Sequence, residues 1–216
     1  MSQAVLEKIL EGKIIAIVRG IPSTKIVGLA QALEKGGVNC IEVTFDQTSE
    51  EKAKDTLAAI RAIKDALGDK VCVGAGTVMS VEQVHQAVEA GAVYMISPIG
   101  NEAVIRETMK LDKVSIPGAM TPTEAAFAYE CGADIVKLFP AGLLGAAYVQ
   151  AVKAPLKHIP VTAVGNVNVE NCAEFLKAGA VGVGVGGSLV SAKLVDEGRF
   201  DEITATAKAY VEALAR

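Results

Sequence analysis

The sequence predicts a single (β/α)8 barrel with one extra N-terminal helix, and three observations carry that expectation. Short apolar runs alternate with longer amphipathic segments eight times along the chain. Nearly all of these runs are apolar at every position, the mark of parallel strands buried on both faces. The pattern is complete within 216 residues, a length at which a closed barrel forms one domain. No linker, low-complexity stretch or charge block marks a boundary, so residues 1–216 are read as one domain.

The first twelve residues are amphipathic without a long apolar centre, which predicts a helix and not a signal peptide. Strand-like runs then follow at 14–18, 40–45, 71–73, 93–96, 114–116, 135–139, 161–164 and 181–185. The helical patterns cover 24–35, 50–67, 81–90, 102–109, 122–130, 146–153, 169–178 and 200–215. Gly37, Gly91, Gly132 and Gly179 each end a helical pattern shortly before a strand, where a left-handed residue turns the chain. Thr121-Pro122-Thr123-Glu124 reads as a capping box with proline at the first helical position, and Ser80-Val81-Glu82-Gln83 as a second box. The competing architecture, an open doubly wound sheet, wants a GxGxxG turn after its first strand. Arg19-Gly20-Ile21-Pro22 stands there instead.

Composition removes several function classes. With 51% hydrophobic and 21% charged residues the chain has the makings of a packed core. A net charge of −4 argues against nucleic acid or an anionic membrane as partner, and 4% aromatic content without tryptophan leaves few platforms for base stacking. No apolar stretch reaches the roughly 18 residues of a membrane span. Cys40, Cys72, Cys131 and Cys172 are widely spaced without a CxxC pair, so buried free thiols are expected in a soluble cytoplasmic protein. The histidines, His85 and His158, fall away from strand ends and form no cluster that would hold a metal.

In a barrel of this kind, functional groups stand at the C-terminal strand ends. The sixth strand carries Lys137 inside Asp134-Ile135-Val136-Lys137-Leu138-Phe139-Pro140, with two apolar residues on each side. Holding an ammonium there costs several kcal/mol unless it is paired or neutral. A lysine held out of water is a usable amine nucleophile for a ketone. The competing reading is a strand-end lysine that snorkels to solvent. Glu42, between Ile41 and Val43 on the second strand, poses the same problem with the opposite charge. Together they are the parts for Schiff-base chemistry with proton transfer, or else a buried ion pair. Gly165-Asn166 after the seventh strand and Gly184-Val185-Gly186-Gly187-Ser188 after the eighth stand where this fold commonly binds phosphate.

These motifs, in order, resemble the 2-keto-3-deoxy-6-phosphogluconate (KDPG) and 4-hydroxy-2-oxoglutarate (KHG) aldolase family of class I, Schiff-base enzymes. The resemblance rests on Ile41-Glu42-Val43-Thr44, Gly74-Ala75-Gly76-Thr77-Val78, Ser97-Pro98, Ile116-Pro117-Gly118, Lys137-Leu138-Phe139-Pro140-Ala141 and Gly184-Val185-Gly186-Gly187-Ser188. It implies a lyase that needs neither cofactor nor metal. The implied reaction cleaves a 2-keto-4-hydroxy acid to pyruvate plus glyceraldehyde 3-phosphate or glyoxylate. Lys137 would form the Schiff base and Glu42 would move the proton. Arg19 and Thr77 would lie near the pyruvyl carboxylate, Pro98 and Phe139 would shape the pocket, and Gly165, Gly187 and Ser188 would meet the phosphate. The resemblance also implies a homotrimer. The alternatives are an aldolase for the phosphogalactonate epimer and a phosphate-binding barrel isomerase or epimerase. The chain departs from the family pattern at Asp46, where many members carry arginine, and at Val164-Gly165-Asn166, where many read Thr-Gly-Gly.

Overall fold

The computed structural model describes residues 2–215; Met1, where the expected first helix would begin, and Arg216 lie outside them. Helix α1 (Ser2–Gly12) leads into β1 (Ile14–Val18). Next come α2 (Ser23–Lys35), β2 (Cys40–Thr44), α3 (Glu50–Leu67), β3 (Cys72–Gly76), α4 (Val81–Ala90), β4 (Tyr94–Ile96), α5 (Glu102–Lys110) and β5 (Val114–Ile116). Past Pro117 the chain forms β6 (Gly118–Ala119), α6 (Pro122–Glu130), β7 (Val136–Leu138), α7 (Ala141–Leu144) and α8 (Ala146–Lys153). It ends with β8 (Val161–Val164), α9 (Cys172–Lys177), β9 (Gly182–Val185), α10 (Ala192–Asp196) and α11 (Phe200–Leu214).

Every strand pairing is parallel, in the order β5-β4-β3-β2-β1-β9-β8-β7-β6. The two ends of that order, β5 and β6, are consecutive pieces of one strand, so the nearly closed barrel is the predicted (β/α)8 fold. The fifth barrel strand is split because Pro117 has no N–H to donate. Its carbonyl still accepts from the Lys137 N–H at 2.8 Å. The apolar run at 114–116 ends short of this continuation. Gly118 continues it under close contact, since a Cβ there would lie 2.2 Å from the Pro98 carbonyl oxygen.

Alternation along the strands divides the buried side chains into two sets. Ile41, Val43, Val136, Leu138, Ala163 and Val183 face outward into the core shared with the helices. Ile15, Cys40, Cys72, Tyr94, Ile96, Val114, Ile116 and Ile135 fill the lumen, and Val5 and Ile9 of α1 pack against them. The extra helix therefore stoppers the N-terminal end of the barrel. Strand β3 runs three residues further than the apolar run that predicted it, and packing accounts for the two glycines among them. A Cβ on Gly74 would lie 2.1 Å from the Tyr94 ring, and one on Gly76 would lie 1.7 Å from Glu42 Oε1. Neighbouring side chains fill the space these glycines leave.

The helix punctuation largely holds. Gly37, Gly91, Gly132 and Gly179 all have φ between 89° and 106°. The box at Thr121 and Glu124 forms in both directions. The second box forms by half: the Ser80 hydroxyl accepts from Gln83 N–H, but Gln83 Oε1 accepts from Met79 N–H at 2.7 Å and not from Ser80. Helices α7 and α10, of four and five residues, are too short to show a helical period and were not predicted. Among the described residues no helix is long and apolar enough to cross a membrane.

Candidate active site

The C-terminal strand ends open into a cavity of about 510 Å³. Arg19, Thr77, Pro98, Lys137, Phe139, Gly165, Gly187 and Ser188 all line it. Glu42, the remaining residue singled out from the sequence, sits deeper in the lumen at 1% exposure, its carboxylate against Gly76.

Strand alternation fixes both charged groups. Val136 and Leu138 belong to the outer core, so Lys137 between them must face the lumen, where it is 8% exposed. The snorkelling alternative does not fit that placement. Lys137 Nζ lies 5.2 Å from the centroid of the Phe139 ring, a cation–π contact. Ile41 and Val43 point outward in the same way and leave Glu42 turned inward. Glu42 Oε2 is buried without a hydrogen-bond partner. Burial holds this carboxyl above its ordinary range, and the cations of Lys137 and Arg19 draw it part of the way back. A carboxyl in that balance can both take up and return a proton.

Thr77 follows β3 at φ 56°, in the left-handed region that a β-branched residue rarely adopts. Such a conformation costs about 1–3 kcal/mol and persists only where the surroundings impose it. Here Gln47 Nε2 donates to the Thr77 carbonyl at 2.7 Å, and Arg19 Nη2 donates to Thr77 Oγ1 at 3.2 Å. The guanidinium and the hydroxyl are thereby set side by side on the rim, suited to a carboxylate.

The loops after β8 and β9 form the opposite wall. Ser188 Oγ donates to the Val167 carbonyl and accepts from the Tyr210 hydroxyl, both at 2.9 Å, and so ties the two loops together. Gly165, at φ 94°, lies under Phe139, whose ring a Cβ would approach to 3.2 Å. Gly187 is different, because a Cβ there would meet nothing within 4 Å. Its missing side chain leaves room beside the cavity for a ligand to approach the backbone.

The family model described as KDPG and KHG aldolase matches residues 5–206 of the chain. The chain belongs to this family. It is 36% identical over 202 residues to the 2-dehydro-3-deoxy-6-phosphogalactonate aldolase of Escherichia coli K12, covering 93% of this chain and 96% of that one. It is 38% identical over 181 residues to the 2-dehydro-3-deoxy-phosphogluconate aldolase of Treponema pallidum, covering 83% and 82%. Among solved structures it superposes at a TM-score of 0.82 on the KDPG aldolase of Legionella pneumophila with pyruvate captured as a covalent carbinolamine. That match is 25% identical and covers 92% of this chain and 93% of that one.

Two family departures find different places. Asp46 does not line the mouth of this aldolase-family barrel; it faces a separate cavity of about 220 Å³ beside Lys52 and Asp55. Its carboxylate accepts from the Thr48 hydroxyl and N–H and from Lys52 Nζ at 2.9 Å. Those bonds hold its carboxyl well below the usual range. Val164 and Asn166 do line the mouth, Val164 as a buried apolar wall and Asn166 at φ 54°. Ile17 and Asn168 also line it, beyond the residues that the sequence singles out. Ile17 could have been found by counting back two from Arg19 along β1. Asn168 carried the signal of an Asx turn, and its Oδ1 accepts from the N–H groups of Glu170 and Asn171. His85 pairs with Glu107 at 3.1 Å and His158 meets the edge of Tyr129, both away from the mouth.

Proposed function

We propose that this chain is a class I aldolase that cleaves a 2-keto-4-hydroxy acid through a Schiff base on Lys137. The observation that carries the reading is the pair of lumen-facing charges, Lys137 in the wall of the mouth and Glu42 below it. Lys137 attacks the ketone carbon to form a carbinolamine, and loss of water gives the iminium. Glu42 takes the C4 hydroxyl proton as the C3–C4 bond breaks, and the bonding electrons pass into the iminium as an enamine. The aldehyde leaves, C3 is reprotonated, and hydrolysis frees pyruvate and Lys137. Arg19 and Thr77 hold the substrate carboxylate, Pro98 and Phe139 confine the chain, and Gly165, Gly187 and Ser188 receive the distal phosphate. No step calls for a metal or cofactor.

The substrate we assign is 2-keto-3-deoxy-6-phosphogluconate, 4-hydroxy-2-oxoglutarate, or both. The phosphogalactonate epimer is a second reading, supported by the apolar Val164 in the wall and by the similarity to the Escherichia coli phosphogalactonate aldolase. One experiment tests the site and ranks these readings. In the presence of a chelator, borohydride reduction with pyruvate should add a stable pyruvyl mass at Lys137, and pyruvate release from the three substrates gives their order. Label on another lysine, or no label, would sink the Schiff-base assignment.

We also assign a homotrimer. Ile99, Met120, Phe127 and Leu143 are large apolar side chains left exposed around the α6 side of the barrel. Light scattering should return three times the chain mass of 22.3 kDa, and a monomer mass would refute this.

A further inference from the structure

Below the mouth, at the stoppered end of the lumen, Cys40 and Cys72 stand side by side. They are Cα partners in the parallel pairing of β2 with β3, and both are buried, at 2% and 7% exposure. Neighbouring strands run about 4.8 Å apart, inside the Cα separation of about 4.4–6.8 Å that a disulfide spans. Two cavities of about 260 and 400 Å³, both lined by Cys72, lie beside α1 and give a small molecule a way in. Lys8 and Asp69 line both, Lys64 lines the smaller, and Cys40 reaches the larger. The adjoining Cys40 thiol and the nearby ammonium groups of Lys8 and Lys64 hold the Cys72 thiol below its ordinary range, against burial and Asp69. The Cys72 sulfur, with burial, pushes the Cys40 thiol up.

We propose that Cys72 and Cys40 form a peroxide-reactive thiol pair, with Cys72 the attacking sulfur and Cys40 the resolving one. The Cys72 thiolate attacks one oxygen of hydrogen peroxide. The O–O bond breaks, hydroxide leaves and takes a proton from solvent, and Cys72 becomes a sulfenic acid. The Cys40 sulfur then attacks the Cys72 sulfur. The S–O bond breaks, the oxygen leaves as water with the Cys40 proton, and the disulfide closes. The two thiols are oxidised by two electrons and one peroxide is reduced to two waters.

The test treats the full chain with hydrogen peroxide and maps peptides without reduction. The expected product joins the peptides of Cys40 and Cys72, is lost on treatment with dithiothreitol, and forms at least tenfold faster than any oxidation of Cys131 or Cys172. In Cys40→Ser, Cys72 should halt as a sulfenic acid that takes up dimedone. Lys137→Met should give the same bridge, because neither Lys137 nor Glu42 takes part. Oxidation of Cys72 no faster than that of Cys131 and Cys172 would overturn the proposal. So would a Cys72 sulfenic acid that never passes to the bridge in the unsubstituted chain, a result that does not depend on any variant folding.

Discussion

Replacing Lys137 with methionine is expected to lower pyruvate release by about 10⁴-fold or more, with the circular dichroism of the fold retained. The magnitude follows from the role: without the amine there is no iminium, and the electrons of the C3–C4 bond have nowhere to go. Methionine keeps the length and apolar stem of the side chain between Val136 and Leu138, so β7 keeps its packing. Glu42 loses one of the two cations that draw its carboxyl down. It answers by holding its proton to still higher pH, which avoids a stranded buried charge. Activity within tenfold of the unsubstituted chain would favour an isomerase or epimerase that needs acid–base residues but no amine.

Glu42→Gln should lower pyruvate release by about 10²–10⁴-fold, the usual span for a lost proton-transfer group. The imine at Lys137 should remain trappable with borohydride, since the amine is untouched. Stability should move the other way. The folded-state pKa of Glu42 is raised by burial, so the folded chain holds this proton more tightly than the unfolded one. The resulting stabilisation is fully present below the unfolded carboxylate range and is lost as pH rises through the raised folded value. Glutamine never ionises and does not lose it. The variant should melt at or above the unsubstituted chain at neutral pH, and melting curves across pH should show one titrating contribution fewer. An unchanged turnover, or a variant that melts lower at neutral pH than at acid pH relative to its parent, would contradict this account.

Much of this was legible in the chain because buried parallel strands leave continuous apolar runs, and a charge inside such a run is conspicuous. Lys137 and Glu42 were found that way, and the register of β7 and β2 places both in the lumen. Arg19, Thr77 and Pro98 stand just past strand ends, and the family resemblance is what gives them their expected places in the pocket. What stayed hidden depended on packing at a distance. The length of β3 is masked by Gly74 and Gly76, which look like turn residues until Tyr94 and Glu42 are seen filling their space. The split at Pro117 reads as a strand end because the pairing that resumes at Gly118 is made with β7, far along the chain. Asp46 lies only four residues past Glu42, yet the chain turns between them and its carboxylate is taken up by Thr48 and Lys52.

Tyr94 gives the lumen a floor. Its ring occupies the space over Gly74, midway on β3 between Cys72 below and the carboxylate that covers Gly76 above. Its hydroxyl is buried without a partner, a cost of about 1–3 kcal/mol that an apolar ring would not carry, so packing and not hydrogen bonding fixes the ring in place. An aldol cleavage releases a carbonyl electrophile within the same barrel that holds two thiols, and thiols add to aldehydes to give hemithioacetals. The ring stands between the carboxylate above and the two thiols below.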